Sequence, residues 1–197
     1  ALPGEGVGGR GQPGGGRARA SGRGRQGARR RARRGGATAQ PSSLFESDIR
    51  YRLHLHTDEK EALGRAMLAH IEPGQAIFLD EATTLLPLAR KLPSVAPLTV
   101  ITNFLPILNE LSAHKDIHLI ALGGEYLPRF HTFTGLLTEQ TMQALHADLY
   151  ITSTTAIHQG AAYHPDQQIV RVKKAMIARS TRHYLLVDHS KFGQTAL

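Results

Sequence analysis

The chain contains no cysteine. That excludes a disulfide framework and any metal site built on thiolates. No apolar run approaches the ~20 residues that a membrane-spanning helix needs. The opening residues hold Arg and Gly but lack the apolar core of a secretory leader, so none is expected. Catalytic signatures are scarce too. From Ser43 onward there is no G-x-G-x-x-G to seat a dinucleotide. The whole chain has no G-x-x-x-x-G-K-[ST] for a nucleoside triphosphate and no G-x-S-x-G nucleophile elbow. Eleven histidines are present, yet none stands in H-E-x-x-H or another ligand spacing. His54 and His56 alternate in a polar segment and read as surface residues. No cofactor and no metal are expected.

What is abundant is arginine, and it is unevenly placed. Residues 1–40 hold ten Arg and one Glu, a local charge of +9. The whole chain carries +8, so the remainder carries −1. The basic signal therefore belongs to the first 40 residues and says nothing about the rest. Those residues are Gly, Arg, Ala and Pro with almost no large apolar side chain. Such a segment cannot bury enough surface to offset its ordering entropy, so a disordered tail is expected. Three readings stand: an arm for nucleic acid, a solvated tail without a role, or GC-rich DNA translated out of frame.

From Ser43 the composition becomes globular. Apolar positions predict a helix after Thr57, with Thr57 as its cap, ending at Pro73-Gly74. Short apolar runs then alternate with amphipathic stretches. Strands are expected at 76–79, 98–101, 117–122, 148–152 and 183–187. Helices are expected at about 84–92, 105–113, 138–146 and 167–179. Continuous apolar strands between helices imply a parallel sheet covered on both faces, an α/β three-layer, Rossmann-like sandwich. In such folds ligands bind beyond the carboxyl ends of the strands.

Those ends carry small polar residues and glycines: Asp80-Glu81-Ala82-Thr83-Thr84, Thr102-Asn103, Gly123-Gly124, Ser153-Thr154-Thr155 and Asp188-His189-Ser190-Lys191. Taken singly, each has a structural explanation as a cap or turn. Together they suggest an anion site. Thr83-Thr84 enters a helix just after a buried strand, a geometry suited to phosphate. Lys173, Lys174 and Lys191 offer compensating charge. Asp188 and His189 are adjacent on extended chain and point to opposite faces, which argues against an acid–base pair.

The same residues resemble a known family. Phe78-Leu79-Asp80 followed by Thr83-Thr84 is similar to the F-L-D-x-G-T-T loop of the DeoR-type regulators. Thr102-Asn103 resembles their T-N, Leu122-Gly123-Gly124 their L-G-G, and Phe133-Thr134-Gly135 their F-x-G. Val172-Lys173-Lys174-Ala175-Met176 is similar to V-K-R-A-M, and Asp188-His189-Ser190-Lys191-Phe192-Gly193 to D-H-S-K-F-G. The helix with Lys60 resembles their E-K-x-x-I-A entry helix. Gly35-Gly36-Ala37 resembles the H-G-G-A that closes their DNA-binding domain, with Arg34 in place of His. Ala82 stands where the family usually has Gly, and Ser153-Thr154-Thr155-Ala156 replaces a glycine-containing loop.

The resemblance implies an effector-sensing domain over residues 42–197 with the fold of the sugar-phosphate isomerases and CoA-transferases. It implies a transcriptional regulator in the cytoplasm that binds a phosphorylated sugar or related metabolite without turning it over. The effector-binding residues it implies are Asp80, Thr83, Thr84, Thr102, Asn103, Gly123, Gly124, Gly135, Lys173, Asp188 and Lys191. DNA is expected as a partner only through a helix-turn-helix domain. The place of that domain is taken here by the Gly/Arg segment, so the sequence reads as a piece at both ends. A homo-oligomer is expected of the complete protein, and no membrane association. The alternative is a sugar-phosphate isomerase- or deaminase-like enzyme on the same fold. Its base would come from Asp80, Glu81 or Asp148.

Overall fold

The computed structural model describes residues 49–193. The expectations for the Gly/Arg tail and for Gly35-Gly36-Ala37 lie outside them. A short helix α1 (Ile49–His54) comes first. It was not anticipated, because only Ile49 of its six residues is buried and no apolar stripe marks it. Helix α2 (Thr57–Leu68) follows, with His56 rather than Thr57 in the cap position. His56 is left-handed there, at φ 51°.

Strand β1 (Ala76–Leu79) leads into a 3-10 turn, Thr83–Leu85, and a four-residue helix α3 (Leu86–Ala89). A second 3-10 turn spans Leu92–Val95. The single helix expected over 84–92 is therefore broken into turns. Strand β2 (Leu98–Thr102), helix α4 (Leu105–Leu111) and strand β3 (Ile117–Ala121) complete the first half.

The second half begins with an antiparallel hairpin, β4 (Glu125–Leu127) with β5 (Thr132–Thr134). Helix α5 (Leu136–Gln143) and strand β6 (Ala147–Thr152) come next. A second hairpin pairs β7 (Ala156–His158) with β8 (Ala161–Tyr163). Helix α6 (Gln167–Ala178), strand β9 (Ser180–Leu185) and a 3-10 turn at His189–Lys191 end the described chain. Asp166 caps α6, its Oδ1 accepting from the backbone N–H groups of Gln168 and Ile169 at 2.9 and 3.2 Å.

Five strands form one sheet in the order β3-β2-β1-β6-β9. All four pairings are parallel. Side chains alternate across each strand, so neighbouring residues enter opposite layers. Ile77, Leu79, Val100, Leu149 and Ile151 pack on one face with Met67, Leu88 and Ile107 from α2, α3 and α4. Phe78, Ile101 and Tyr150 pack on the other with Met142, Val172 and Met176 from α5 and α6. Each such side chain, fully buried, contributes roughly 1.5–3 kcal/mol. The expected three-layer α/β sandwich is present. Gly64 lets α2 lie against α3: a Cβ there would stand 2.9 Å from the Leu88 backbone N.

The strand order places the site. The chain steps outward from β1 to β2 to β3, then returns to the other side of β1 for β6 and β9. The loops after β1 and β6 therefore diverge and leave a crevice between their carboxyl ends, where doubly wound sheets bind ligands.

Candidate functional site

A cavity of about 300 Å³ opens at this crevice. Its wall from the sheet is Glu81-Ala82-Thr83-Thr84 after β1 and Ser153-Thr154-Thr155 after β6. Asp188, Ser190 and Lys191 close one side. Tyr51 and Arg52 from α1, Leu55 and His56 from the turn after it, and Lys60 from α2 form the cover. His164, just past β8, completes the lining.

Behind the wall lies a buried charge cluster. Asp80 is fully buried. Its Oδ2 accepts from Tyr150 Oη at 2.5 Å, from Lys173 Nζ at 2.7 Å and from the Thr152 hydroxyl. Lys173 Nζ also lies 3.0 Å from Glu81 Oε1 and donates to the Ser153 carbonyl at 3.1 Å. Burial works against the Lys173 charge, but Asp80 and Glu81 outweigh it and raise its pKa. Burial raises the Glu81 carboxyl above its ordinary range, aided by Asp80 and opposed by Lys173. Burial, followed by the Asp80 charge, also pushes the Tyr150 phenol well up. Burial, with Lys173 and Arg52 nearby, pushes His164 down to about 4. Its Nδ1 faces the Asp166 backbone N–H at 3.1 Å, so that nitrogen accepts and Nε2 carries the proton. Nε2 stands 3.8 Å from Glu81 Oε1.

The mouth is more basic. Lys60 is buried, and its Nζ donates to the Arg52 carbonyl at 2.5 Å. Burial, with Lys191 and Arg52 close by, pushes its pKa down to about 8. Asp188 is held by the backbone N–H of Ser190 at 2.8 Å and by the Ser190 hydroxyl. Burial acts to raise its pKa, but those bonds and Lys191 outweigh it and lower it.

Of the residues anticipated from sequence, Thr83, Thr84, Asp188 and Lys191 meet at the cavity wall. Asp80 and Lys173 stand together one layer behind. The role expected for Lys173, charge for a phosphate, does not fit its position. Its three donors already face Asp80, Glu81 and Ser153. Nor does Thr83-Thr84 open a helix long enough to act as an anion site. It is a 3-10 turn followed by four helical residues. Ala82 has φ −82° and ψ 122°, so alanine sits there without strain.

Thr102, Asn103, Gly123, Gly124 and Gly135 do not line this cavity. Thr102 Oγ1 accepts from the Phe104 N–H at 3.1 Å. Asn103 Nδ2 donates to the Phe133 carbonyl at 2.8 Å, and Thr132 Oγ1 donates to the Asn103 carbonyl at 2.8 Å. Thr138 Oγ1 donates to the Gly123 carbonyl at 2.6 Å. Gly124 has φ +143°, and a Cβ there would fall 2.2 Å from Thr138 Oγ1 and 2.4 Å from the Thr134 carbonyl oxygen. Gly135 occupies the cap position of α5 at φ 89°. These five residues fasten the β4–β5 hairpin and α5 to the sheet.

Sequence reasoning missed Lys60, Arg52 and His164 as wall residues, and raised Glu81 only as a strand-end carboxylate and candidate isomerase base. Lys60 had been placed in a familiar entry helix but not in a site. Among the isomerase candidates, Asp148 lies at the amino end of β6, its Oδ2 accepting from the Ala76 N–H at 2.8 Å. Asp80 and Glu81 lie at the carboxyl end of β1. No group of three or more His, Asp or Glu side chains that could hold a metal occurs among the described residues.

Comparison with solved structures supports the fold. Ribose 5-phosphate isomerase A of Methanocaldococcus jannaschii superposes with a TM-score of 0.50 at 13% identity, over 68% of this chain and 54% of that one. A D-ribose-5-phosphate isomerase in complex with phospho-erythronic acid gives 0.51 at 14% identity, over 68% and 53%. At such low identity the likeness shows the architecture alone. Sequence relatives are more informative. The chain is 32% identical over 163 residues to the glycerol-3-phosphate regulon repressor of Escherichia coli K12, covering 82% of this chain and 65% of that protein. It is 29% identical over 164 residues to an L-fucose operon activator of Haemophilus influenzae, covering 83% and 66%. The chain thus spans about 65% of the length of these two relatives. Residues 55–197 match the family described as the DeoR C terminal sensor domain, and the chain belongs to that family.

Proposed function

We propose that the cavity binds a phosphorylated small molecule as an effector, and that the protein carrying this domain regulates transcription in response to it. The observation that carries the reading is the mouth of the cavity. Lys60 is buried against Lys191 and Arg52, and its pKa falls to about 8. Desolvated cations crowded at an opening favour an anion that neutralises them. Thr83 and Thr84, on the opposite wall, offer hydroxyls to the same ligand. The names of the relatives, a glycerol-3-phosphate regulon repressor among them, agree with a phosphorylated effector.

On this reading Asp80 and Lys173 are the rear support of the site. Thr102, Asn103, Gly123, Gly124 and Gly135 act on it only through the hairpin they hold. The protein works in the cytoplasm as a homo-oligomer and meets DNA through a helix-turn-helix domain. No described helix is long and apolar enough to cross a membrane.

The ligand is bound and released unchanged. Isomerase chemistry needs a carboxylate base free to take a proton from substrate carbon. Asp80 is committed to three donors through Oδ2. Glu81 is held by Lys173 through Oε1 and keeps Oε2 without a partner among the described residues, so Glu81 is the carboxylate on which absence of turnover is tested. Calorimetry against a panel of sugar phosphates tests binding, and NMR of the bound probe under excess protein tests turnover. Saturable binding without conversion is expected. Conversion that disappears in Glu81→Gln would make the domain an enzyme.

A further inference from the structure

Glu81 is the one acidic side chain shared by the cavity wall and the buried cluster. It is 1% exposed, and its Oε2 has no hydrogen-bond partner among the described residues. Asp80 Oδ1 is likewise without one. A buried carboxylate oxygen left unpaired is costly, and natural sites rarely keep one without a use.

The neighbours explain why no protein group fills the gap. The three Lys173 donors are taken by Asp80 Oδ2, Glu81 Oε1 and the Ser153 carbonyl. The His164 proton on Nε2 faces Glu81 Oε1, not Oε2, from 3.8 Å. His164 brings no charge near neutral pH, because burial with Lys173 and Arg52 nearby holds its pKa at about 4. Two carboxylates thus share one ammonium. With both ionised, the cluster holds one more negative charge than positive. The mouth has the opposite bias, with Lys60 and Lys191 beside Asp188.

We propose that Glu81 receives a protonated amine of the ligand, so that the effector is a phosphorylated amine, such as an amino sugar phosphate, and not a neutral sugar phosphate. The inference rests on the reading of the cavity as a phosphate-binding effector site. A ligand hydroxyl would satisfy Oε2 as an acceptor but leave the surplus charge buried. An ammonium does both, through a charge-assisted hydrogen bond. The cavity then matches a ligand with an anion at one end and a cation at the other. Its volume of about 300 Å³ suits a ligand of sugar-phosphate size.

The test uses the intact chain and calorimetry with matched probes. Glucosamine 6-phosphate is compared with glucose 6-phosphate, and galactosamine 6-phosphate with galactose 6-phosphate. Each pair differs only in an amine for a hydroxyl. Inorganic phosphate reports the mouth alone. In at least one pair the amine is expected to bind about tenfold tighter or more, as befits a charge-assisted bond in a desolvated site. Glu81→Gln, which keeps the shape but not the charge, is expected to bring that pair within about twofold. Equal binding within both pairs, or a preference that survives Glu81→Gln, overturns the inference while the phosphate-binding function stands. Failure of every phosphorylated probe, phosphate included, overturns the proposed function and this inference with it. If Glu81→Gln does not fold, the contrast within the pairs on the native protein decides alone.

Discussion

Two strand ends of the same sheet carry the same kind of residue and use it differently. After β1 stand Thr83 and Thr84, and at the end of β2 stand Thr102 and Asn103. The first pair lines the cavity. The second is buried and turned inward, bonded to Phe104 and to Phe133 of the β4–β5 hairpin. Chemistry does not separate them, because both are short polar side chains at a carboxyl end. Topology does. The loops after β1 and β6 diverge at the switch point and leave room, whereas the loop after β2 is overlaid by the β4–β5 hairpin. A motif residue faces ligand only where the sheet leaves a gap.

The largest expected effect concerns the support between these regions. Lys173→Ala removes the ammonium that two buried carboxylates share. Breaking such a pair by deleting one partner is expected to cost about 3–5 kcal/mol. Urea unfolding of the variant measures it. A loss under about 1 kcal/mol, with weakened effector binding, would put Lys173 on the ligand side after all.

Gly124→Ala probes the inward region. Its backbone is at φ +143°, and the added methyl would meet Thr138 Oγ1 and the Thr134 carbonyl. A destabilisation of about 2–3 kcal/mol is expected, with effector affinity of the folded protein unchanged. Thermal unfolding and calorimetry on one preparation separate the two. A variant of native stability with lost binding would erase the distinction between the strand ends.

How much of this was legible in the sequence follows the same division. The inner strands were visible, because burial on both faces leaves continuous apolar runs such as Ala76-Ile77-Phe78-Leu79. The edge strand β9, expected at 183–187, runs Ser180–Leu185, because its polar start Ser180-Thr181-Arg182 carries no apolar signal. The strand ends of the parallel sheet pointed to the place where the cavity opens. The two hairpins were not visible. Their strands are three residues long, too short for alternation to register. The cover of the site was missed for a related reason. Lys60 reads as a solvated helix position, and it is buried only because α1 folds over it, an event with no local pattern. Glu81 was read as one carboxylate among several. Its isolation depends on where Lys173 arrives, 92 residues later in the chain.

A matched pair of substitutions sharpens the comparison. Thr102→Val leaves the buried Phe104 N–H without its acceptor and is expected to cost about 1–3 kcal/mol in stability, with no effect on affinity. Thr84→Val is expected to do the reverse. It should weaken effector binding by about 0.5–1.5 kcal/mol and leave stability nearly unchanged. Denaturation and calorimetry of both variants form a two-by-two comparison. Loss of stability in both, or of affinity in both, would mean that the two strand ends are equivalent.

A further effect is one of pH, and it tests the cover instead of the sheet. Lys60 is held at about 8, below its ordinary 10.5, by burial and by Lys191 and Arg52. In the free protein the unfolded chain therefore binds more protons between those values. Stability is expected to rise as pH climbs through that window, because the penalty of the buried charge disappears. Binding of a phosphate ester runs the other way. It needs Lys60 protonated, so affinity falls as pH rises past about 8, by at most about tenfold per unit. On the acid side the ligand loses a charge below about pH 6, the second pKa of a phosphate ester, and affinity falls again. A profile peaked near neutrality is expected. Lys60→Met should remove the alkaline fall in affinity and the alkaline rise in stability together, since one proton accounts for both. Calorimetric affinities and urea midpoints between pH 5.5 and 10 check this. An alkaline limb unchanged in Lys60→Met would rule out Lys60 as its source and leave Lys60 as a brace for α1.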